Sequence, residues 1–172
     1  MTQSDQEQTI RSVAESLRTQ IISVPPEARP ISLRHFPRGS CGDAVDMLAT
    51  RLAGSPGRSL EYVFGKRVTD GGIEIHAWLQ VDGFIVDITA DQFDEVDDAV
   101  IVKRSSDWHS RWGTRILREA GLDHVVGRSG MQLRAFLERL ANASTTTSSP
   151  ALAADEAWAR AAAPVSSPSS GG

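Results

Sequence analysis

Residues 73–93 read IEIHAWLQVDGFIVDITADQF and predict a β-hairpin. Apolar and polar side chains alternate on both sides of Asp82-Gly83, and this dipeptide favours a tight type I′ turn because it tolerates positive φ. With Asp82 and Gly83 as the two loop residues, Val81 faces Phe84 across the strands. The turn therefore predicts the register of the whole hairpin.

That register places a histidine and an aspartate on one face of the hairpin. Trp78 faces Asp87 and His76 faces Thr89, so His76 and Asp87 are diagonal neighbours about 7–8 Å apart, a gap that side chains can close. A slip of one residue would put them on opposite faces. A histidine between apolar strand residues is more often structural than catalytic, and Asp87 could simply end its strand. The sequence predicts at least an imidazole held against a carboxylate.

Composition restricts the class of protein. The chain has 172 residues, 40% of them hydrophobic, which is typical of one globular domain. A net charge of −4 and scattered basic residues argue against a nucleic-acid partner, and no apolar run reaches the roughly 18 residues of a membrane span. The amino terminus lacks the layout of a secretion signal. The lone cysteine, Cys41, excludes an intrachain disulfide and fits a reducing compartment, so we expect a cytoplasmic protein.

The remaining periodic segments predict an α+β domain with helices packed against an antiparallel sheet. Capping boxes at Ser4–Glu7 and Ser129–Gln132 indicate two of the helix starts. Helices are expected at residues 5–22, 41–52, 115–120 and 129–142, strands at 60–64 and 100–102 besides the hairpin, and a loop at 105–113.

Cys41 is expected to begin the second helix. Gly39 and Ser40 allow a tight turn into it, and Asp43 in the first turn suits the positive end of the helix dipole. A helix amino terminus raises the thiolate fraction of a cysteine, which is what a nucleophile needs. Alone, a cysteine is most often a small buried hydrophobe. The hypothesis of a catalytic thiol therefore depends on its combination with a base.

Cys41, His76 and Asp87 form the predicted catalytic set. Acyl-transfer enzymes combine a nucleophile, a base that activates it and a group that orients the base. Cys41 would attack an acyl carbonyl, His76 would take and return a proton, and water or an amine would resolve the acyl thioester. Backbone N–H groups at the start of the helix, and the side chain of Gln92, are candidate donors to the oxyanion.

Other histidines and the tryptophans have weaker claims. The alternative bases have no carboxylate placed by a predictable turn; they are His35, His109 and His124. Trp78, on the His76 face, is expected to pack beside the site rather than to recognise substrate, although it is a candidate substrate contact together with Trp108. Trp108 and Trp112 either wall a cleft or pack as core or lid. No cofactor or metal is expected, because one cysteine and four dispersed histidines make a poor zinc set.

Four short motifs in order resemble a known family. Gly39-Ser-Cys41-Gly-Asp43-Ala44, Val63-Phe-Gly65, His76-Ala-Trp78 and Asp87-Ile-Thr89 resemble the transglutaminase-like core of the papain-like cysteine enzymes. The resemblance implies a papain/transglutaminase-like fold and a Cys-His-Asp triad, in a compact bacterial member. Gly42 stands where animal transglutaminases have Trp, so protein crosslinking is not implied. The acidic residues of 91–98 are interpreted as a solvated turn rather than as a calcium site.

The predicted function is a cysteine-dependent amide or peptide hydrolase, or an acyltransferase. Its expected partner is a peptide, a protein side-chain amide or a small amide or acyl substrate, and the sequence predicts no oligomeric state. The alternative is a non-catalytic binding module that keeps the cleft; the intact set of three residues favours the enzyme. The expected organisation is an amino-terminal helix with a proline-rich turn at 1–28, a catalytic domain at 29–142 and a disordered Ser/Thr/Ala/Pro tail at 143–172.

Overall fold

The structure is a computed structural model that describes residues 2–54 and 57–147, the last three by their backbone alone. Within these residues it is an α+β fold with four α-helices and one five-stranded antiparallel sheet. The helices are α1 Gln3–Ser23, α2 Cys41–Leu52, α3 Asp107–Ser110 and α4 Gly127–Thr147. The strands are β1 Leu60–Thr69, β2 Gly72–Val81, β3 Phe84–Asp87, β4 Ile101–Lys103 and β5 Gly113–Glu119. Their order in the sheet is β4-β3-β2-β1-β5.

The central hairpin has the predicted turn and register. Asp82 and Gly83 have φ values of 50° and 78°, as a type I′ turn requires at both loop positions. Val81 faces Phe84 in the β2–β3 ladder. The hairpin prediction is therefore confirmed, and it holds because the turn alone determines which residues face each other.

Helix α1 begins earlier than predicted. The capping box is formed by Thr2 and Asp5 rather than by Ser4 and Glu7: Thr2 Oγ1 accepts from the Asp5 backbone N–H at 3.1 Å, and Asp5 Oδ2 accepts from the Thr2 N–H at 2.8 Å. A Thr-x-x-Asp pair satisfies the same two backbone donors as the Ser-x-x-Glu pair, and it lies two residues upstream. The predicted stop at Pro25 and the predicted range of α2 are confirmed.

The sheet is larger on its β1 side than the sequence predicted. Strand β1 was expected to end at Gly65 but continues to Thr69, paired with β2 throughout. Residues 115–120, predicted as a helix, lie mostly in strand β5, where Ile116 faces Val63. Pairing with β5 satisfies backbone groups that β1 would otherwise leave open at a sheet edge, and this outweighs a weak local helical pattern.

Strand β5 is also held to helix α2 by a buried ion pair. Arg118 donates two hydrogen bonds to the Asp46 carboxylate, at 2.8 and 2.7 Å. The Gly121 backbone N–H donates to the same carboxylate at 2.9 Å. Asp46 is buried, so its charge needs these partners.

Smaller differences occur toward the carboxy terminus. Strand β4 is shifted by one residue from the predicted 100–102, and the predicted loop at 105–113 contains helix α3. Helix α4 begins at Gly127, so Ser129 lies inside it and the predicted Ser129–Gln132 capping box is wrong. The predicted tail begins within α4, since residues 143–147 are helical, and its remainder at 148–172 lies outside the described residues. Residues up to Glu138 form one compact unit, and α4 continues beyond it.

Both faces of β2 are covered over the part that carries the histidine. Ala77 and Leu79 are buried on one face, while His76 and Trp78 are buried on the other. Helix α2 packs on β2, and α1 packs on α2, β3 and β4. Trp78, Trp112 and Val63 form the centre of a mainly aromatic cluster. Ile85, Phe93 and Trp108 pack against this aromatic cluster. His76 therefore lies on the sheet face that this aromatic cluster covers.

Candidate active site

The structure brings His76 and Asp87 into direct contact. His76 Nε2 lies 2.6 Å from Asp87 Oδ2, and the two residues are 1% and 2% exposed. His76 extends from β2, and Asp87 is the last residue of β3. The cross-strand proximity follows from the hairpin register, and the short distance is typical of a charge-assisted hydrogen bond.

The two groups shift each other's protonation. Burial lowers the pKa of His76, but the Asp87 charge, the Asp87 hydrogen bond and the Cys41 side chain together raise it to about 9. Burial raises the pKa of Asp87, but the charge on His76 and hydrogen bonds from His109 and His76 hold it well below its usual range. Near neutral pH the pair is therefore an imidazolium beside a carboxylate.

Cys41 is the first residue of α2 and is half-buried. Its side chain lies close enough to His76 to contribute to the raised pKa of that imidazole. Because Asp87 occupies Nε2 of His76, Nδ1, which also lies 3.3 Å from Gln92 Nε2, is the nitrogen that can interact with the sulfur. Ser40 immediately before it is buried, and its hydroxyl donates to the Ser32 carbonyl at 2.8 Å. The hydrogen bond of Ser40 thus fixes the chain just before Cys41, and the thiol is near the predicted base His76.

Gly42 leaves room for a tyrosine that the sequence did not indicate. A Cβ at Gly42 would lie 2.7 Å from the Tyr62 hydroxyl oxygen, closer than real contacts allow. Burial, with the negative charges of Cys41 and Asp46, raises the pKa of Tyr62 to about 12. Its phenol therefore stays protonated beside the start of α2. Tyr62 lies on β1, and only the packing of that strand under α2 reveals its position.

Gln92 connects the segment before Cys41 to the imidazole. Its Oε1 accepts from the Gly39 N–H at 3.2 Å, and its Nε2 donates to the Thr89 carbonyl at 2.9 Å. Nε2 also lies 3.3 Å from His76 Nδ1. Gln92 therefore borders the site, where its position lets it orient the loop that leads to Cys41.

His76 is enclosed by aromatic rings. The ring centroids of its neighbours lie 5.2–5.7 Å from that of His76; they are Trp78, Phe93, Trp108 and Trp112. Trp78 packs beside the imidazole as predicted. Trp112 is buried and Trp108 half-buried, so these two pack on His76 rather than wall an open cleft there. Among the described residues, Trp112 Nε1 is the one buried side-chain nitrogen or oxygen without a hydrogen-bond partner.

The acidic turn at 91–98 is only partly solvated, which corrects its interpretation from sequence. Asp91 pairs with Arg18, with the Asp91 Oδ2 atom 2.5 Å from the guanidinium. Glu95 pairs with Arg67 and accepts a hydrogen bond from Trp108 Nε1 at 3.0 Å. Arg67 lies over the ring of Trp112, 4.3 Å from its centroid. The Glu95–Arg67 pair therefore connects the turn to the rings around His76.

His109 is the site residue that the sequence reasoning underrated. Its Nε2 lies 3.2 Å from Asp87 Oδ2, and it is 2% exposed. From the sequence, His109 ranks as a weaker base candidate because no predictable turn places a carboxylate beside it, and helix α3 instead brings it to Asp87 from outside the hairpin. Of the other two candidates, His35 is exposed and His124 lies 3.8 Å from Glu119.

His76, Asp87 and His109 also have the residue types of a metal site. One ligand atom from each lies within 4.8 Å of the others. Ligand atoms around a tetrahedral zinc ion are separated by about 3.3 Å, given Zn–N distances near 2.0–2.1 Å. The 2.6 Å between His76 and Asp87 is shorter than that and matches a hydrogen bond. As placed, the three residues fit a proton-sharing cluster rather than an ion.

Comparisons of the chain with protein-family models, with curated proteins and with solved structures find no match. In the part of the chain that the structure describes, none of the helices combines the length and apolar character needed to cross a membrane. We therefore infer the function from the geometry of the site itself.

Proposed function

We propose that this protein is a cysteine-dependent amide hydrolase or acyltransferase with a papain/transglutaminase-like arrangement of Cys41, His76 and Asp87. The observation that supports it most is the buried 2.6 Å pair of His76 and Asp87, with the Cys41 side chain close enough to the same imidazole to help raise its pKa. A half-buried sulfur near a buried imidazole, whose charged form a carboxylate stabilises, is the arrangement of an activated nucleophile.

The first half of the reaction forms an acyl thioester. The Cys41 sulfur attacks the carbonyl carbon of an amide, and the carbonyl electron pair moves to oxygen. Backbone N–H groups at the start of α2, which have no partner within the helix, can donate to that oxyanion. As the tetrahedral intermediate collapses, the C–N bond breaks and the leaving nitrogen takes the Nδ1 proton of His76. Asp87 keeps the imidazole oriented through Nε2.

The second half of the reaction releases the acyl group and regenerates free Cys41. Neutral His76 accepts a proton at Nδ1 from water or an amine as that nucleophile attacks the thioester carbonyl. The C–S bond then breaks, and the product is an acid or a new amide. Hydrolysis and acyl transfer differ only in this acceptor. The proposed substrate of the first half is a peptide, a protein side-chain amide or a small amide.

The test is the rate of Cys41 alkylation by iodoacetamide as a function of pH. At about pH 6 His76 carries its proton, so we expect alkylation roughly tenfold or more faster in the wild type than in His76→Ala. The matched control is His35→Ala, which removes an exposed histidine six residues from Cys41 and is expected to react like the wild type.

A slow thiol whose pH profile is the same in the wild type and in His76→Ala would contradict the proposal. It would favour a binding module instead. If the thiol is activated, incubation with a nitrophenyl ester should add one acyl group to Cys41, detectable by mass spectrometry, and Cys41→Ser should stay unmodified under the same conditions.

A further inference from the structure

We propose that His109 is a positioning residue that fixes the Asp87 carboxylate by donating to the same oxygen that binds His76. Its importance for catalysis rests on the proposed function. Its effect on His76 can be measured whether or not Cys41 reacts.

Hydrogen bonding around His109 determines which of its nitrogens carries the proton. The Ser106 hydroxyl oxygen accepts from the His109 backbone N–H at 3.3 Å. It also lies 2.8 Å from His109 Nδ1, a contact in which the hydroxyl can be donor or acceptor. The ionised Asp87 carboxylate can only accept, so a hydrogen bond between Asp87 and His109 Nε2 requires a proton on Nε2. The proton on His109 is therefore on Nε2, directed at Asp87 Oδ2.

With His109 as donor, both oxygens of Asp87 are fully engaged. Oδ1 accepts from the Thr89 backbone N–H at 2.8 Å and from the Thr89 hydroxyl at 3.0 Å. Oδ2 accepts from His76 at 2.6 Å and from His109 at 3.2 Å. A carboxylate that accepts two hydrogen bonds on each oxygen can neither rotate nor take up a proton without losing several of them. His109 completes this set from outside the hairpin.

His109 is itself held rigidly. Ser106 caps α3, and the His109 ring packs edge-on against Trp78 and Trp108, with centroids 4.7 and 4.8 Å apart. His109 and Ser106 also line a pocket of about 310 Å³, and Asp87 is not among its lining residues.

The experiment compares two substitutions of similar size at position 109. In His109→Gln the side-chain amide can still donate to Oδ2, whereas His109→Met cannot. The readout is the NMR titration of the His76 ring protons, assigned by their loss in His76→Gln. The groups whose charge acts on His76 are Asp87 and Cys41, and neither is changed. The titratable His109 ring, 6.5 Å from that of His76, is removed in both variants, so the difference between them reports the hydrogen bond.

We expect His109→Met to raise the proton affinity of His76 roughly threefold, because an Asp87 carboxylate with one donor fewer attracts the imidazolium more strongly. His109→Gln should restore the titration toward that of the wild type. A titration of His76 that is unchanged or lowered in His109→Met, or that moves equally in both variants, would overturn the proposal.

A second variant covers the case in which His109→Met does not fold, which circular dichroism would show. Ser106→Ala leaves the imidazole in place but removes the hydroxyl that contacts its Nδ1. The ring is then held less firmly toward Asp87, so the proton affinity of His76 should rise by a smaller factor. An unchanged titration in folded Ser106→Ala would count against the positioning role of His109. Alkylation of Cys41, measured in parallel, tests the proposed function separately.

Discussion

At the scale of single residues, Asp87 is the group on which the candidate site depends. It is almost completely buried and contacts two histidines and both donors of Thr89. A buried carboxylate is stable only when it is paired and hydrogen-bonded. The charge of Asp87 is therefore both a structural requirement and the reason that His76 is protonated near neutral pH.

We predict that Asp87→Asn converts His76 from a cation into a neutral imidazole. Without the carboxylate, burial dominates, so the pKa of His76 should fall from about 9 to below its ordinary value of about 6.5. Removing one partner of a buried pair also costs roughly 3–5 kcal/mol of unfolding free energy. NMR titration of His76 and urea unfolding measure the two effects.

The matched control for this substitution is Asp94→Asn. Asp94 is fully exposed, and its 3.8 Å contact with Arg38 is a surface one, so the change should alter the free energy of unfolding by about 0.5 kcal/mol or less. Equal effects of the two substitutions would contradict the prediction that the protonation of His76 and the free energy of unfolding depend on the charge of Asp87.

At the scale of elements, strand β1 determines how closely the aromatic cluster packs on the hairpin. Gly65 faces His76 across the β1–β2 ladder. A Cβ at Gly65 would lie 2.7 Å from Trp78 Cζ3 and 3.1 Å from Trp112 Cβ. The absence of a side chain at Gly65 therefore lets both indoles lie against the sheet beside the imidazole.

We predict that Gly65→Ala displaces Trp78 and destabilises the fold. Overpacking of a buried site costs about 1–3 kcal/mol, and the shift of the indole should change the tryptophan fluorescence spectrum. Gly71→Ala is the control in the β1–β2 turn, because the nearest atom to its Cβ is 3.7 Å away, an ordinary contact. Similar losses of stability in both variants would contradict the contact with the indoles as the cause of the effect.

At the scale of the whole molecule, the buried pair makes stability depend on pH. The folded pKa of His76, about 9, lies above its unfolded value. Its contribution to stability is therefore complete below about pH 6.5 and is lost as the pH rises through about 9. The folded pKa of Asp87 is depressed, so its contribution is present above about pH 4 and lost as the pH falls.

We predict that the free energy of unfolding falls between about pH 6.5 and pH 9.5 by on the order of 1–3 kcal/mol through His76 alone. Urea unfolding at a series of pH values measures the total change. The same series on His76→Gln, which can still donate to Asp87 but does not titrate, isolates the histidine. Parallel curves for the two proteins over this range would contradict the prediction.

The fold was predictable where a few neighbouring residues determine it. The type I′ turn at Asp82-Gly83 and the range of α2 depend on local backbone geometry and apolar spacing. Strand β5 was not predictable in this way, because residues 115–120 become a strand only by pairing with β1, more than 50 residues earlier in the chain. The two-residue error at the start of α1 has a smaller cause, since two capping pairs of equal chemistry compete there.

The candidate site, like the fold, was predictable only where neighbouring residues determine it. By itself, the sequence determined that Cys41 begins a helix and that His76 and Asp87 share one face, because a turn type and a side-chain period of two act over adjacent residues. Only the tertiary structure decided that His109 also contacts Asp87, that Tyr62 lies under the start of α2 and that tryptophans enclose His76. These contacts join segments whose separation is governed by how helices and strands pack, and no local pattern of residues encodes that.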